Sequence, residues 1–207
     1  EPFRMALSYL FQAFEGDPPY LPFLRDIPES TLALLRRMMD KGINSPLTSS
    51  CGRLFDAVAA LIGLRHRVSY EGQAALELEM AIAGKKESGT YPYELMDRDG
   101  LIIFDPSALV RGIAAEVVAG VSGGVISARF HNTLAVMVGA VCTELRRRTG
   151  LNLAVLSGGV FQNRYLAEHV VGTLRAKEFN VLTHSRVPPN DGGLALGQAW
   201  IAGHQFG

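Results

Sequence analysis

Charge of one sign, cysteine and long hydrophobic runs are what this 207-residue sequence has least of. Lysine and arginine total 20, aspartate and glutamate total 20, and the formal net charge is zero. No basic excess exists to neutralise a phosphate backbone, which argues against a nucleic acid partner. The one charge run, Arg146-Arg147-Arg148, suits the negative end of a helix dipole. The two cysteines, Cys51 and Cys142, form no CxxC pair, which excludes a zinc ribbon built within the chain. Free thiols in a reducing cytoplasm are the simplest reading, so the expected location is cytoplasmic. No stretch approaches the about 20 unbroken apolar residues of a membrane span, and no signal peptide opens the chain, so no membrane partner is expected. The start, Glu1-Pro2-Phe3-Arg4-Met5, lacks an initiator Met and reads as a cut from something longer. His66, His131, His169, His184 and His204 never fall at HxH or HxxxH spacing. Neither a P-loop nor GxGxxG occurs, and no Ser/His/Asp order stands out for acyl transfer.

What is present is apolar material in periodic order. Apolar residues make up 48% of the chain, enough for a sizeable core, and the length suits one large domain or two small subdomains. Residues 1–90 read as mainly helical. Ser30 caps a stretch in which Leu32, Leu35 and Met39 recur at helical spacing until Gly42 stops it. A second helix is predicted over 53–62, burying Leu54, Val58, Leu61 and Ile62. A third is predicted over 72–83, with Leu76 and Met80 inward and Gly84 as terminator. The polar stretch Lys85 to Pro92 is the best boundary between subdomains.

Residues 91–207 alternate between strand and helix signals. Tyr93–Met96 and Leu101–Phe104 flank Asp99-Gly100, a hairpin-turn signal. Asp105-Pro106 opens a helix with Leu109, Ile113 and Val117 on one face. A long helix over 126–148 should bury Phe130, Leu134, Val138, Val141 and Leu145. Leu151–Leu156 is a short apolar run of the kind buried on both faces of a parallel sheet. A helix over 163–177 follows, with Leu166, Val170 and Leu174 in one stripe, then a strand over 181–184 and a helix over 192–202. This order implies a parallel sheet with crossover helices, an α/β fold.

Three stretches carry candidate chemistry, each with two readings. Ser157-Gly158-Gly159-Val160-Phe161-Gln162-Asn163 joins a strand to a helix. Two glycines let a ligand approach the backbone, and helix N-terminal N–H groups suit a phosphate; the other reading is a tight turn with Asn163 as N-cap. Val187-Pro188-Pro189-Asn190-Asp191-Gly192-Gly193 also follows a strand and opens a helix. Open parallel sheets place ligands at such strand ends. Asp191 there is either a metal ligand or an N-cap. Ser49–Asp56 places Asp56 on one helical face with Ala60 and Gly63, where an acid can meet ribose hydroxyls closely or simply be solvated. Glu71, before Gly72 at a helix start, is either a dipole partner or a second ribose acceptor. His131 reads as a satisfied core or interface histidine.

Taken together, these segments resemble the HypF-type hydrogenase-maturation carbamoyltransferases. The matching stretches are Glu1-Pro2 through Met5-Ala6, Ser49–Ala59, Tyr70–Ala75, Phe130–Ala135, Ser157–Asn163 and Val187–Gln198, in the family's order along essentially the whole chain. The run from Pro188 to Gln198 is highly specific. The resemblance implies the C-terminal, ribonuclease-H-like half of an actin/Hsp70/sugar-kinase fold. Within it, a helical subdomain would occupy 1–90, and an α/β subdomain facing nucleotide and metal would occupy 91–207.

The resemblance further implies nucleotide contacts at Asp56, Gly72, Gly158, Gly159 and Asn163, an added ribose contact at Glu71, and an iron or zinc ligand at Asp191. It leaves the catalytic group unassigned. It implies an activity: ATP, with Mg, and carbamoyl phosphate give carbamoyladenylate. The carbamoyl group then passes to the C-terminal Cys of a HypE-like partner and becomes the cyanide ligand of NiFe hydrogenase. The family's paired metal-binding histidines and its acylphosphatase-like, zinc-finger and adenylate-forming domains have no counterpart in this sequence. One aspartate is too few ligands for a closed metal site, so weak metal binding by this chain is expected. An apolar face left bare by the missing half favours self-association, so a homodimer is expected. The rival readings are a related tRNA threonylcarbamoyltransferase or actin-like kinase, and a non-catalytic docking module. Phe161-Gln162 and Glu71-Gly72-Gln73 favour HypF over the tRNA enzymes.

Overall fold

A computed structural model of the chain describes residues 1–15, 17–84 and 86–206, without the side chains at 26 and 206. The chain forms two compact units, Glu1–Thr133 and Leu134–Gly207. Lys85, the first residue of the expected boundary, lies outside the described residues, and 86–92 fall inside the first unit.

The first unit is built on helices. In α1 (Pro2–Ala13), proline sits in the first turn, where its missing N–H costs nothing. Phe3, Ala6, Leu7, Leu10 and Ala13 recur at helical spacing and are buried. They pack against α3 (Cys51–Leu61), where Ala57, Val58, Ala59 and Ala60 are all fully buried. Such small side chains let the backbones approach. Phe55 meets Phe130 edge to face, with ring centroids 4.9 Å apart. α2 (Glu29–Asp40) starts earlier than Ser30 predicts. Pro28 takes the cap position, and its carbonyl accepts from the N–H groups of Thr31 and Leu32. α4 (Gln73–Met80) turns the opposite way from the prediction. Gln73, Ala74 and Leu78 are buried, whereas Leu76 and Met80 are exposed. Gln73 is retained inside because its side chain accepts from Ser69 N–H and donates to Glu77.

The predicted hairpin forms as β1 (Glu94–Arg98) and β2 (Leu101–Asp105), antiparallel, with Arg98 opposite Leu101. Asp99 and Gly100 have φ of 53° and 84°, the two left-handed residues of a type I′ turn. Asp105 then accepts from Ser107 N–H and opens α5 (Ser107–Val118). α6 (Gly123–Thr149) contributes Ile126, Ala128 and Phe130 to this core. Arg129 on α6 pairs with Glu87 at 3.1 Å and with Glu116 of α5, to which Tyr91 also donates. Asn132 donates to the carbonyls of Glu87 and Gly89, so residues 87–91 are held along α6. α6 is also long and apolar enough to cross a membrane, which unbroken-run counting misses. Its apolar window is 56% buried within the protein, and it buries Ser127, His131 and Thr133 completely, the marks of a core helix.

In the second unit β3 (Leu153–Leu156) and β4 (Asn180–Thr183) lie parallel, joined through α7 (Arg164–Ala176). The stripe Leu166, Val170 and Leu174 is buried, as the spacing predicts. Gly139 of α6 lies against α7, where a Cβ would sit 2.6 Å from Thr173 Cγ2. Burial of the strands on both faces does not hold. Leu156 is buried, but Leu153 and Val155 are 56% and 61% exposed. Side chains alternate across a strand. α8 (Leu194–Phe206) carries no Asp, Glu, Lys or Arg, yet Leu194, Leu196, Trp200 and Ile201 are exposed.

Candidate functional site

The two glycine turns of the second unit leave neighbouring strand ends. Leu156 and Thr183 are the last ladder partners of β3 and β4. Ser157 and His184 come next, and His184 Nε2 lies 3.1 Å from Ser157 Oγ. Gly158 adopts φ 106° and ψ 156°, a conformation essentially closed to residues with a Cβ. Its N–H donates to Pro189 C=O at 2.7 Å, so the first turn is bonded directly to the second. Gly159 faces Asn190: a Cβ on it would stand 3.9 Å from that of Asn190, an ordinary contact. Of the Gly158–Gly159 pair, only Gly158 requires glycine by its backbone. Gly159–Gln162 then form a 3-10 turn leading into α7.

Asn163 caps α7. Its Oδ1 accepts from Leu166 N–H at 2.8 Å, and the residue is buried. The cap reading therefore holds, and the buried cap fixes where the turn ends. Asp191 is not a cap. Asn190 takes that position, accepting from Gly192 N–H at 3.1 Å, and leaves the Asp191 carboxylate exposed in the first position of a 3-10 turn. Among the described residues no three His, Cys, Asp or Glu side chains are grouped to hold a metal. Asp191 supplies one carboxylate, so the described residues do not by themselves make up an iron or zinc site.

In the first unit Asp56 lies on α3, with its side chain only 19% exposed, which sets aside the freely solvated reading. Arg53 Nη1 is 3.4 Å from its Oδ2. Desolvation holds the Asp56 carboxyl above the usual range, Arg53 opposes this without cancelling it, and the Glu71 charge adds to the rise. Gly72, with φ 80°, is the left-handed entry to α4, a place that favours glycine.

His131 is fully buried. Its Nδ1 is 2.7 Å from Ser127 C=O and its ring packs edge-on to Phe55, as befits a core histidine. The feature missed in the sequence is the His184–Ser157 link. Its signal was only partial: Ser157 directly follows the strand predicted over 151–156, whereas His184 falls inside the one predicted over 181–184, and it is the observed Leu156–Thr183 pairing that puts the two residues side by side.

A parallel strand pair with a crossover helix and paired turns at the carboxyl ends defines an α/β unit. Residues 1–198 match the family described as carbamoyltransferase, Kae1-like domain, second subdomain. The chain is 40% identical to carbamoyltransferase HypF of Rhodobacter capsulatus, over 98% of this chain and 25% of that protein. It is 33% identical to carbamoyltransferase HypF2 of Cupriavidus necator, over 98% of this chain and 27% of that protein. A full-length HypF crystallised in the phosphate- and nucleotide-bound form superposes with a TM-score of 0.88 at 38% identity, covering 98% of this chain and 26% of that chain. The chain belongs to the HypF carbamoyltransferase family and spans about a quarter of the length of these relatives.

Proposed function

We propose that this chain is the nucleotide-facing C-terminal part of a carbamoyltransferase, acting in the cytoplasm with the parts its relatives carry in their remaining length. The observation that carries the reading is the bond from Gly158 N–H to Pro189 C=O, which brings the double-glycine turn and the Asp191 turn together at one end of the parallel strands. The relative crystallised with phosphate and nucleotide supports it. In this reading Asp56 and Glu71 accept from ribose hydroxyls, and Gly72, Gly158 and Gly159 admit the nucleotide close to the backbone. Asn163 contacts the nucleotide as well. Asp191 is offered as one ligand to iron or zinc, the others coming from outside this chain.

The complete protein would hydrolyse carbamoyl phosphate to carbamate and phosphate, and the carbamate oxygen would then attack the α-phosphorus of MgATP, expelling pyrophosphate and leaving carbamoyladenylate. The Cys thiolate of a HypE-like partner would then attack the carbamoyl carbon. A C–S bond forms, the C–O bond to the nucleotide phosphate breaks, and AMP leaves. The product thiocarbamate is the precursor of the cyanide ligand in NiFe hydrogenase maturation. Self-association through the bare apolar surfaces of β3, β4 and α8 belongs to the same reading.

Calorimetric titration of MgATP into the chain and into the complete protein tests it. Asp56→Ala should weaken ATP binding about tenfold, the worth of a charge-assisted hydrogen bond. Unchanged affinity in a folded variant would return Asp56 to a structural role. Absence of ATP binding by both wild-type proteins would instead favour a docking module.

A further inference from the structure

The segment between β4 and Asp191 is fastened to the double-glycine turn at two points. At its start, His184 Nε2 lies 3.1 Å from Ser157 Oγ. At its end, Pro189 C=O accepts from Gly158 N–H at 2.7 Å. Leu156 and Thr183 close the backbone ladder one residue earlier, so the side-chain link extends the strand pairing by one register position. Between the two fastenings the chain makes a short excursion, Ser185 to Pro188, in which every residue but Val187 is exposed. Such an excursion keeps its shape only if its ends are fixed, because exposed loop backbone retains most of its conformational freedom. The far fastening is a backbone bond that needs glycine at 158 for its φ of 106° but no particular side chain at 189. The near one depends on the identity of two side chains.

Resting on the nucleotide-and-metal reading of these turns, we propose that His184 is a positioning residue. By bonding to Ser157 it holds the 185–188 excursion in register, and so sets where Asp191 stands relative to Gly158. It touches neither nucleotide nor metal. A histidine suits the place because its ring nitrogen reaches the serine hydroxyl in either protonation state, with the hydroxyl accepting or donating to match. A glutamine amide reaches comparably and can also donate or accept.

The test compares wild type, His184→Ala, Ser157→Ala, the double variant and His184→Gln in the full 207-residue chain. Hydrogen exchange at the Gly158 amide, read by NMR, reports the clamp without any ligand. Each alanine variant should speed exchange about two- to tenfold, the worth of one hydrogen bond. The double variant should be no faster than either single one, because both remove the same bond. His184→Gln should return exchange to within about twofold of wild type. Additive losses, an unchanged rate in His184→Ala, or failure of glutamine to rescue would overturn the proposal. MgATP titration of the same variants gives the separate readout. Loss of affinity should follow the exchange rates. Altered exchange where neither the wild-type chain nor the complete wild-type protein binds MgATP would leave the clamp standing and remove the nucleotide reading instead.

Discussion

The first unit closes on itself and the second does not. In the first, α1, α3, α5 and the start of α6 bury Leu7, Leu10, Phe55, Leu109, Ile113 and Phe130 almost completely. In the second, α7 buries one stripe, while Leu153, Val155, Leu182 and four large side chains of α8 stand exposed. Apolar burial is the main driving force of folding, so the two units have different sources of stability. The first has the larger buried core, although Tyr20, Leu47, Met80 and Leu101 stand exposed on it. The second has apolar surface in excess of what it covers, and a parallel strand pair is ordinarily buried on both faces. Its candidate ligand turns sit on this less complete unit, held by a few identifiable bonds rather than by mass of packing.

The largest effect that breaks the comparison should come from the first unit. Phe130→Ala removes a fully buried ring that meets Phe55 edge to face. Truncations of this kind cost about 3–5 kcal/mol. Thermal unfolding should then show the first unit melting well before its wild-type temperature. A loss under about 1 kcal/mol would mean that this core is far looser than its burial indicates.

Gly139→Ala probes the second unit's only tight helix contact among its described glycines in α6 and α7. The new methyl would stand 2.6 Å from Thr173 Cγ2 and 3.3 Å from Lys177 Cε. The lysine stem can move aside, but threonine is branched at Cβ and restricted in χ1. Overpacking there should cost about 1–3 kcal/mol. Denaturant unfolding followed by the Trp200 signal reads the second unit. Equal stability of variant and wild type would show that α6 and α7 slide apart freely.

Legibility in the sequence cuts across that division. Where a pattern is settled by neighbours in the chain, it could be read: the Asp99-Gly100 hairpin, the Leu166–Val170–Leu174 stripe and the Asn163 cap all stand where the spacing places them. Where tertiary contact decides, it could not. The spacing in α4 places Leu76 and Met80 inward, but a hydrogen-bonded Gln73 and Leu78 take that face. The apolar run of β3 predicts burial on both faces, because such runs look alike whether or not a second layer covers them. For the candidate site, the residues were legible but their joining was not. Nothing short of the parallel register shows that Ser157 meets His184, or that Gly158 donates to Pro189.

The smallest and sharpest test concerns Asp56, an ionisable group in the well-packed unit. Burial holds its carboxyl above the ordinary range more strongly than Arg53 lowers it. A raised acid binds its proton more tightly in the folded than in the unfolded chain. Its contribution to stability is therefore complete below the ordinary carboxylate value and is lost as pH rises through the raised folded one. Near neutral pH the ionised Asp56 is thus a net cost to the first unit. Asp56→Asn removes that cost while nearly preserving shape. The variant should be more stable than wild type at pH 7, and the gap should close as the pH falls below the ordinary aspartate range, both read as melting temperature across a pH series. A gain in stability joined to weaker MgATP binding is the pattern of a residue kept for a ligand rather than for the fold. A variant less stable than wild type at pH 7 would show that the Arg53 pair outweighs burial, and Asp56 would then be a structural half of a surface ion pair.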